Sequence, residues 1–333
     1  MSDQRDGGIA WTDESWNPIR GCSRVSAGCI NCYAETMAGR FCGPGLPYEG
    51  LATRHVHVLG DGREELRSRW TGKVVLVPEH LSDPLRWRRP RRVFVNSMSD
   101  LFHESLSNEQ IAAVFGVMAA APQHTFQVLT KRARRMREWF EWALGFGELR
   151  SDALRRMRFH ADQKGARGIP LTDVHAGGVD WPLANVWLGV SAENQATADE
   201  RIPDLLACPA AVRWVSYEPA IGPVDFTRLV QPSGDVINGF YGWRDGGTMR
   251  RVLGLDWIVV GGESGPGARP FDLAWARSTI AQCKAAGVQV FFKQGGAHII
   301  DAGARLTTND RKGGDMSEWP SDLRVREWPG VTR

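Results

Sequence analysis

Short apolar segments recur along the chain, and they restrict its fold more than any other feature. Seven of them are nearly continuous in apolar character and rich in β-branched and aromatic residues, namely 74–77, 93–96, 125–129, 186–190, 212–217, 257–260 and 288–292. Strands of a parallel sheet that is buried on both faces have this composition. An eighth candidate strand lies at 16–20, and together the segments predict a largely parallel sheet.

Helical patterns lie between several of these segments. One covers residues 108–120 and follows Ser107 as N-cap, and another covers residues 271–286 and ends before Gly287. The alternation of strands and helices predicts an α/β fold, either a (β/α)8-type barrel or a partial TIM barrel of parallel strands with insertions. An open doubly wound sheet has the same alternation and remains the alternative.

The spacing of the segments also predicts the domain organisation. A barrel over residues 1–302 would carry insertions at about 137–184 and 227–255, where connections are too long for a simple strand–helix unit, and residues 303–333 would form a polar, loosely packed tail. The sequence has no run of about 18 apolar residues and no signal-peptide pattern at its polar start. We therefore expect a cytoplasmic protein without a membrane partner.

Four of the six cysteines are clustered near the start of the chain, which is not the pattern of a secreted disulfide framework. Cys22, Cys29 and Cys32 have the spacing C-x6-C-x2-C, which allows three thiolates to wrap one metal centre. A structural zinc site needs four ligands, whereas a cubane cluster on three cysteines leaves one iron open. This favours a [4Fe–4S] cluster, with zinc or metal-free thiols as the alternatives. A fourth ligand would come from Cys42, His55 or His57.

Polar side chains follow six of the predicted strands, at the point where each strand ends. They are Ser97 and Asp100, Thr130 and Lys131, Ser191 and Glu193, Glu218, Glu263, and Lys293. Loops at the carboxyl ends of parallel strands build the sites of α/β folds, so these side chains are candidates for a binding site. Asp100 and His103 are candidates for an acid/base pair. Helix capping and local ion pairs are the structural interpretation of the same residues.

A family resemblance rests on eight segments between Trp16 and Gly296. They are WNPIRGC, GCINCYAE, VFVNSMSDLFHE, LTKR, LGVSAEN, VSYEPAIGP, IVVGGESG and FFKQGG. These segments resemble a phage-associated three-cysteine-motif family, a family of phage proteins of unknown function. That family is similar in turn to radical S-adenosylmethionine (SAM) enzymes, and distantly to spore photoproduct lyase, a radical enzyme that acts on thymine in DNA.

The resemblance implies a cofactor and a reaction. In radical SAM enzymes three cysteines hold a [4Fe–4S] cluster, and the open iron takes the amino and carboxylate groups of SAM. One electron then cleaves the sulfonium, and the resulting radical abstracts hydrogen from the substrate. The implied partners are a nucleobase, nucleotide, DNA or RNA substrate, an electron donor such as flavodoxin or ferredoxin, and a phage- or neighbour-encoded protein.

The resemblance also implies roles for residues. Cys22, Cys29 and Cys32 would hold the cluster, and Lys131 would pair with the SAM carboxylate. The cofactor-binding candidates are Tyr33, Ser97, Thr130, Lys131, Ser191, Glu193, Glu263 and Lys293. The catalytic candidates are Asp100, His103 and Glu218.

The chain departs from the usual radical SAM pattern in two places. The commonest spacing is C-x3-C-x2-C with an aromatic residue before the last cysteine, whereas here Asn31 precedes Cys32 and Tyr33 follows it. The Gly-Gly-Glu segment that holds the SAM amino group normally follows an early strand. Residues 261–263 follow a late one, so that role is not assigned to Glu263.

Basic clusters at 86–92, 131–135 and 155–158 are candidates for contact with nucleic acid, and solvated charged faces are the alternative interpretation. Arginine beside tryptophan, as at Arg86–Trp87–Arg88, suits phosphate contact combined with base stacking. The formal net charge is only +3, so any such surface is a local patch. The alternative function is therefore a zinc-stabilised, non-catalytic nucleic-acid-binding phage protein.

Overall fold

The computed structural model describes residues 8–58, 60, 62–145, 150–169, 181–242 and 254–330. The chain divides into two compact units, residues 12–186 and residues 1–11 with 187–333. The first contains the cysteine motif and is called the cysteine unit below. The other is called the second unit. None of the described helices is both long enough and apolar enough to cross a membrane.

The cysteine unit is built on three parallel strands. Its strands are β1 (Glu14–Trp16), β2 (Ile19–Arg20), β3 (Ala52–Val58), β4 (Glu64–Trp70), β5 (Val75–Leu76), β6 (Arg92–Val95) and β7 (Thr125–Thr130). Its helices are α1 (Tyr33–Arg40), α2 (Pro78–Leu81), α3 (Asp83–Arg86), α4 (Asn108–Ala120), α5 (Ala133–Leu144) and α6 (Arg150–Gln163). Strand β6 pairs in parallel with β1 and with β7, while β2 pairs with β5 and β3 with β4 in antiparallel fashion.

Helix α4 forms the centre of the packing in this unit. Ser107 caps it in a reciprocal capping box with Gln110, as its sequence predicts. All residues from Ile111 to Ala119 are buried, so the helix is covered on every side. A Cβ at Gly116 would lie 2.3 Å from the carbonyl oxygen of Met157, so this glycine allows α6 to pack directly on α4.

The second unit has four parallel strands in the order β8, β9, β12, β14. Its strands are β8 (Val186–Ser191), β9 (Val212–Tyr217), β10 (Leu229–Val230), β11 (Val236–Ile237), β12 (Trp257–Gly261), β13 (Phe271–Asp272), β14 (Gln289–Gln294), β15 (Ile299–Asp301) and β16 (Ala304–Leu306). Its helices are α7 (Gln195–Ala207) and α8 (Leu273–Ala286). Helix α8 ends at Gly287, which adopts the left-handed conformation with φ of 67°.

Seven strands of the described chain therefore pair in parallel, and helices lie between them. This confirms the predicted α/β fold of the partial-barrel type. One strand was assigned wrongly. Val75 and Leu76 do not join the parallel strands but pair antiparallel with Ile19–Arg20, and Glu14–Trp16 occupies the parallel position beside β6. The antiparallel pairing of β2 with β5 involves only two residues of each strand. The run at 74–77 therefore resembles a core strand only in composition.

The predicted C-terminal tail is packed rather than loose. Trp319 and Leu323 are buried, and Trp319 lies edge-on to Phe292 with ring centroids 4.6 Å apart. The backbone of Phe292 donates to Val325, and the indole of Trp257 donates to Glu327. The prediction of a loosely packed tail is therefore wrong over this stretch.

The two predicted insertions are only partly described. The first includes α6 and the end of α5, and the second includes the short β10–β11 pair. Residues 146–149 and 170–180 of the first insertion, and 243–253 of the second, lie outside the described residues.

Candidate functional site

The cysteine loop, residues 21–32, follows β1 and β2 at the carboxyl end of the first parallel strand. Gly21 has φ of 92° and forms a bridge with Ser99, in the loop after β6. A Cβ at this position would lie 2.1 Å from the carbonyl oxygen of Lys73, so only glycine is accommodated before Cys22. Cys29 ends a single 3-10 turn (Ala27–Cys29), and Cys32 is the N-cap residue of α1.

The three motif cysteines are free thiols, and Cys32 lies within electrostatic range of both Cys22 and Cys29. Burial raises the pKa of Cys22 to about 12, and the charges of Asp100 and Cys32 add to the effect. Burial also raises the pKa of Cys32, with Cys29 as a further cause. Over the part of the chain that the structure describes, no three His, Cys, Asp or Glu side chains are arranged to hold a metal ion.

An ion pair joins the cysteine loop to α1. Arg24 Nε donates to both carboxylate oxygens of Glu35, at 3.2 and 3.0 Å, and Nη2 also contacts this carboxylate. Glu35 is 3% exposed and accepts from the backbone amide of Trp70 at 2.9 Å. The hydrogen bond to Glu35 raises the pKa of Arg24, and the charges of Cys32 and Cys29 contribute. The guanidinium of Arg24 therefore lies within electrostatic range of two of the thiols.

A second guanidinium, that of Arg132, anchors the loop beside Cys22. Its Nε donates to both oxygens of Glu104 at 2.8 Å, and its Nη1 donates to Asp100 at 3.1 Å. Its Nη2 donates to the carbonyl and the hydroxyl oxygen of Ser23, at 3.2 and 2.8 Å. The side chain is only 4% exposed, so a buried cation fixes the residue that follows Cys22.

Sequence reasoning missed Arg24, Glu35, Ser23 and Arg132 as members of this site. The available signal for Arg132 was its position directly after Lys131, at the end of a buried strand. Nothing in the local sequence connects Arg24 with Glu35 or Arg132 with Ser23, because these contacts depend on the folded loop.

Asp100 organises the loops after β6 and β7, as its position in the sequence suggested. Its carboxylate accepts from the Thr130 hydroxyl at 2.7 Å and from the Lys131 backbone amide at 3.1 Å. The predicted acid/base pair with His103 is not formed between their side chains. His103 Nε2 instead lies 2.8 Å from the Ser23 hydroxyl, and burial together with Arg132 lowers the pKa of His103.

Tyr33 and Ser97 are brought together at the start of α1. The Tyr33 hydroxyl donates to the Ser97 carbonyl oxygen at 2.7 Å, while its side chain is 54% exposed. The Ser97 hydroxyl lies 3.2 Å from the Asn17 side-chain amide. Six predicted site residues other than the cysteines therefore belong to the cysteine unit: Tyr33, Ser97, Asp100, His103, Thr130 and Lys131.

The other predicted residues follow the strands of the second unit, and the charged ones are engaged in ion pairs. Glu193 pairs with Arg201 at 3.2 Å, with both side chains at most 3% exposed, and Arg201 also donates to the Ser191 carbonyl oxygen at 2.9 Å. Glu263 pairs with Arg269. In both pairs the carboxylate is buried and held by an arginine, which favours a structural role for Glu193 and Glu263.

Glu218 and Lys293 form a further ion pair in the second unit, and this pair is partly exposed. Lys293 Nζ donates to both Glu218 oxygens at 2.7 and 2.9 Å, and the two side chains are 17% and 19% exposed. The neighbouring glycine segment is explained by packing, since a Cβ at Gly262 would lie 2.4 Å from the carbonyl oxygen of Gly295.

The predicted basic clusters are largely neutralised in the structure. Arg86 pairs with Asp83, Arg91 with Glu14, and Arg92 with Asp13. Arg88 and Arg89 are exposed, and no ion pair to them occurs among the described residues. In the other two clusters, Arg134 pairs with Glu138 and Arg158 is buried.

A family model described as a protein of unknown function (DUF5131) matches residues 6–321. Neither the curated proteins nor the solved structures contain a match to the chain.

Proposed function

We propose that this chain, which belongs to the DUF5131 family of proteins of unknown function, is a radical SAM-like iron–sulfur enzyme that acts on a nucleobase, nucleotide or nucleic acid. The observation that carries the proposal is the grouping of Cys22, Cys29 and Cys32 on one loop at the carboxyl end of β1. Sites of parallel α/β folds are built at this end of the strands.

The donor set suits a cluster with one open iron. Three thiols with soft sulfur donors are available on a single loop, and a closed structural zinc site would need a fourth ligand. The nearest further cysteine in the sequence, Cys42, donates from Sγ to the Gly39 carbonyl oxygen at 3.2 Å. Because the thiols are not yet in ligand geometry, metal binding would also have to close the loop, which couples binding to local folding.

The chain's own residues would hold and orient the reactants. With Cys22, Cys29 and Cys32 as ligands, the cluster and SAM would supply a radical that abstracts hydrogen from the substrate. Arg24 would compensate the negative charge of the thiolates, and Arg132 would fix the loop through Ser23. Lys131 would pair with the carboxylate of SAM. A cytoplasmic location and a flavodoxin- or ferredoxin-like electron donor belong to the same proposal.

Anaerobic purification followed by iron and sulfide analysis tests the proposal. We expect a brown protein with about four iron and four sulfide per chain. Addition of dithionite and SAM should release 5′-deoxyadenosine and methionine, and Cys22→Ala should release neither. A colourless protein that binds one zinc per chain would favour the nucleic-acid-binding alternative. A complete cluster that yields no nucleoside would exclude radical SAM chemistry.

A further inference from the structure

The two antiparallel strands β3 and β4 form a ribbon that is exposed over most of its length. Seven residue pairs are in register, from Ala52 opposite Trp70 to Val58 opposite Glu64. Ala52 and Trp70 at the base are buried, whereas every residue of β3 beyond Ala52 is exposed. Isolated two-stranded ribbons are only marginally stable, so this one depends on the packing at its base.

The base of the ribbon is fixed to the helix that begins after Cys32. Glu35 on α1 accepts from the Trp70 amide at 2.9 Å. A Cβ at Gly39 would lie 1.9 Å from the Ser68 hydroxyl oxygen, so α1 lies directly against β4. A partner that binds the ribbon is therefore held next to the cysteine loop.

The two faces of the ribbon differ in chemistry. One face carries the hydrogen-bond donors His55, His57, Arg67 and Arg69, together with Glu65, which pairs with Arg67 at 2.9 Å. The other face carries Val56, Val58 and Leu66 toward its far end, and these are 57%, 61% and 52% exposed. Exposed apolar side chains beside donor-rich ones are typical of a binding surface rather than of a free solvent face.

Charge indicates the class of partner. The cysteine unit has 24 Lys and Arg against 19 Asp and Glu, a net charge of +5, whereas the rest of the chain has a net charge of −2. On the ribbon strands themselves, Arg54, Arg67 and Arg69 outnumber Glu64 and Glu65, and two histidines accompany them. This balance is complementary to a polyanion.

We propose that the β3–β4 ribbon enters the major groove of duplex DNA. This groove is about 12 Å wide and admits a two-stranded ribbon. Strands of seven residues span roughly 23 Å, which is about two thirds of one helical turn. The donors of the polar face then contact phosphates and base edges.

This inference deepens the proposed function, because it names duplex DNA as the form in which a nucleic acid is presented to the cysteine loop. It requires only the polypeptide, however, so its test does not depend on cluster chemistry. Duplex RNA is a useful comparison, because the deep, narrow groove of A-form RNA excludes such a ribbon.

A first experiment titrates the full-length protein against a fluorescein-labelled 20-base-pair DNA of mixed sequence, at several salt concentrations. We expect the logarithm of the binding constant to fall linearly with that of salt, and duplex RNA to bind at least tenfold more weakly. Arg67→Gln with Arg69→Gln should make the slope shallower by about one to two units. The matched variant Arg305→Gln with Arg311→Gln removes two exposed charges from the second unit and should keep the wild-type slope.

A second variant shortens the ribbon without touching its base. Replacing residues 56–66 by Asn-Gly joins the paired residues His55 and Arg67 through a two-residue turn. DNA affinity should fall at least tenfold, while the circular dichroism spectrum and thermal midpoint stay close to those of the wild type.

Three results would overturn the inference. The first is DNA binding that neither ribbon variant weakens. This result would leave a nucleic-acid substrate possible but would exclude the ribbon as the DNA-binding surface. The second is absence of binding at 25 mM salt by a protein that still cleaves SAM, which would leave the radical chemistry standing. Self-association that the short-ribbon variant abolishes, without DNA binding, would identify a second copy as the occupant instead.

Discussion

The guanidinium of Arg132 donates to the hydroxyl of Ser23, with Nη2 and Oγ 2.8 Å apart. This hydrogen bond ties the loop after β7 to the residue that follows Cys22. Because the same guanidinium neutralises the buried Asp100, one side chain both holds the cysteine loop and balances a charge beside it.

Arg132→Gln should strongly destabilise the protein. The substitution leaves the carboxylate of Asp100 buried without its cation, and loss of one partner from a buried pair costs about 3–5 kcal/mol. The matched variant Arg134→Gln, at a side chain that is 80% exposed, should change the free energy of unfolding by less than about 0.5 kcal/mol. Urea unfolding followed by circular dichroism measures both. If Arg132→Gln lowers the free energy of unfolding by less than about 1 kcal/mol, the ion pair between Arg132 and Asp100 is accessible to water and the prediction is wrong.

Alanine substitution of Cys22, Cys29 or Cys32 should each abolish the visible absorbance of the anaerobically purified protein, because three thiolates are the expected ligands. The comparison set consists of the remaining cysteines, Cys42, Cys208 and Cys283, of which the last two are buried. Cys42→Ala, Cys208→Ala and Cys283→Ala should retain the absorbance and the iron content. A colourless Cys42→Ala protein would show that four protein ligands are used, against the open-iron proposal.

Lys131→Ala should weaken SAM binding by ~1.5–3 kcal/mol, the size of a charge-assisted hydrogen bond to the cofactor carboxylate. Lys293→Ala is the matched comparison, since this lysine follows a strand of the second unit and its Nζ donates to both oxygens of Glu218. It should change SAM affinity by less than about 0.5 kcal/mol. Isothermal titration calorimetry of the reconstituted protein with SAM gives both values. Equal losses of SAM affinity in the two variants would contradict a specific role for Lys131.

The stability of the protein should depend on His124 in mildly acidic solution. Burial lowers the pKa of His124 from its ordinary value of 6.5, and Arg91 adds to the effect. The unfolded chain therefore binds the proton more readily than the folded one. Above pH 6.5 the imidazole is neutral in both the folded and the unfolded chain, and the full stability is present. As the pH drops from 6.5 to the lowered folded pKa, the unfolded chain takes up the proton first, and the free energy of unfolding falls.

His124→Gln should remove this component of the pH dependence. The glutamine amide can still donate toward the Pro84 carbonyl oxygen, which lies 3.1 Å from the imidazole Nε2. Urea unfolding between pH 5 and pH 7 provides the measurement, and the exposed His57→Gln serves as comparison. The assignment fails if His124→Gln and the wild type lose stability in parallel over this range.

The sequence predicts the fold correctly where burial alone determines which residues a segment contains. Segments such as 125–129 and 257–260 are covered on both faces, so their apolar character identifies them as strands. Capping is local as well, which is why Ser107 and Gly287 could be assigned directly. The error at 74–77 arose because a short apolar run does not reveal its pairing partner.

The candidate site was accessible only in part. The cysteine spacing and the position of Asp100 are properties of local sequence. The pairs that organise the loop join Arg132 to Asp100 across 32 positions and Glu35 to Trp70 across 35. Such contacts depend on chain folding, and their side chains look like ordinary surface charges in the sequence.

The division of the chain has a consequence for its synthesis on the ribosome. Residues 12–186 are continuous, so the segment that contains the cysteine loop is complete while at least the 147 residues from 187 to 333 are still to be translated. At about 5–20 residues per second this leaves roughly 7–30 s. Trp11, by contrast, packs against Trp214 and Trp257, with ring centroids 5.1 and 6.3 Å away. Trp11 therefore meets these partners only after the whole cysteine unit has been translated.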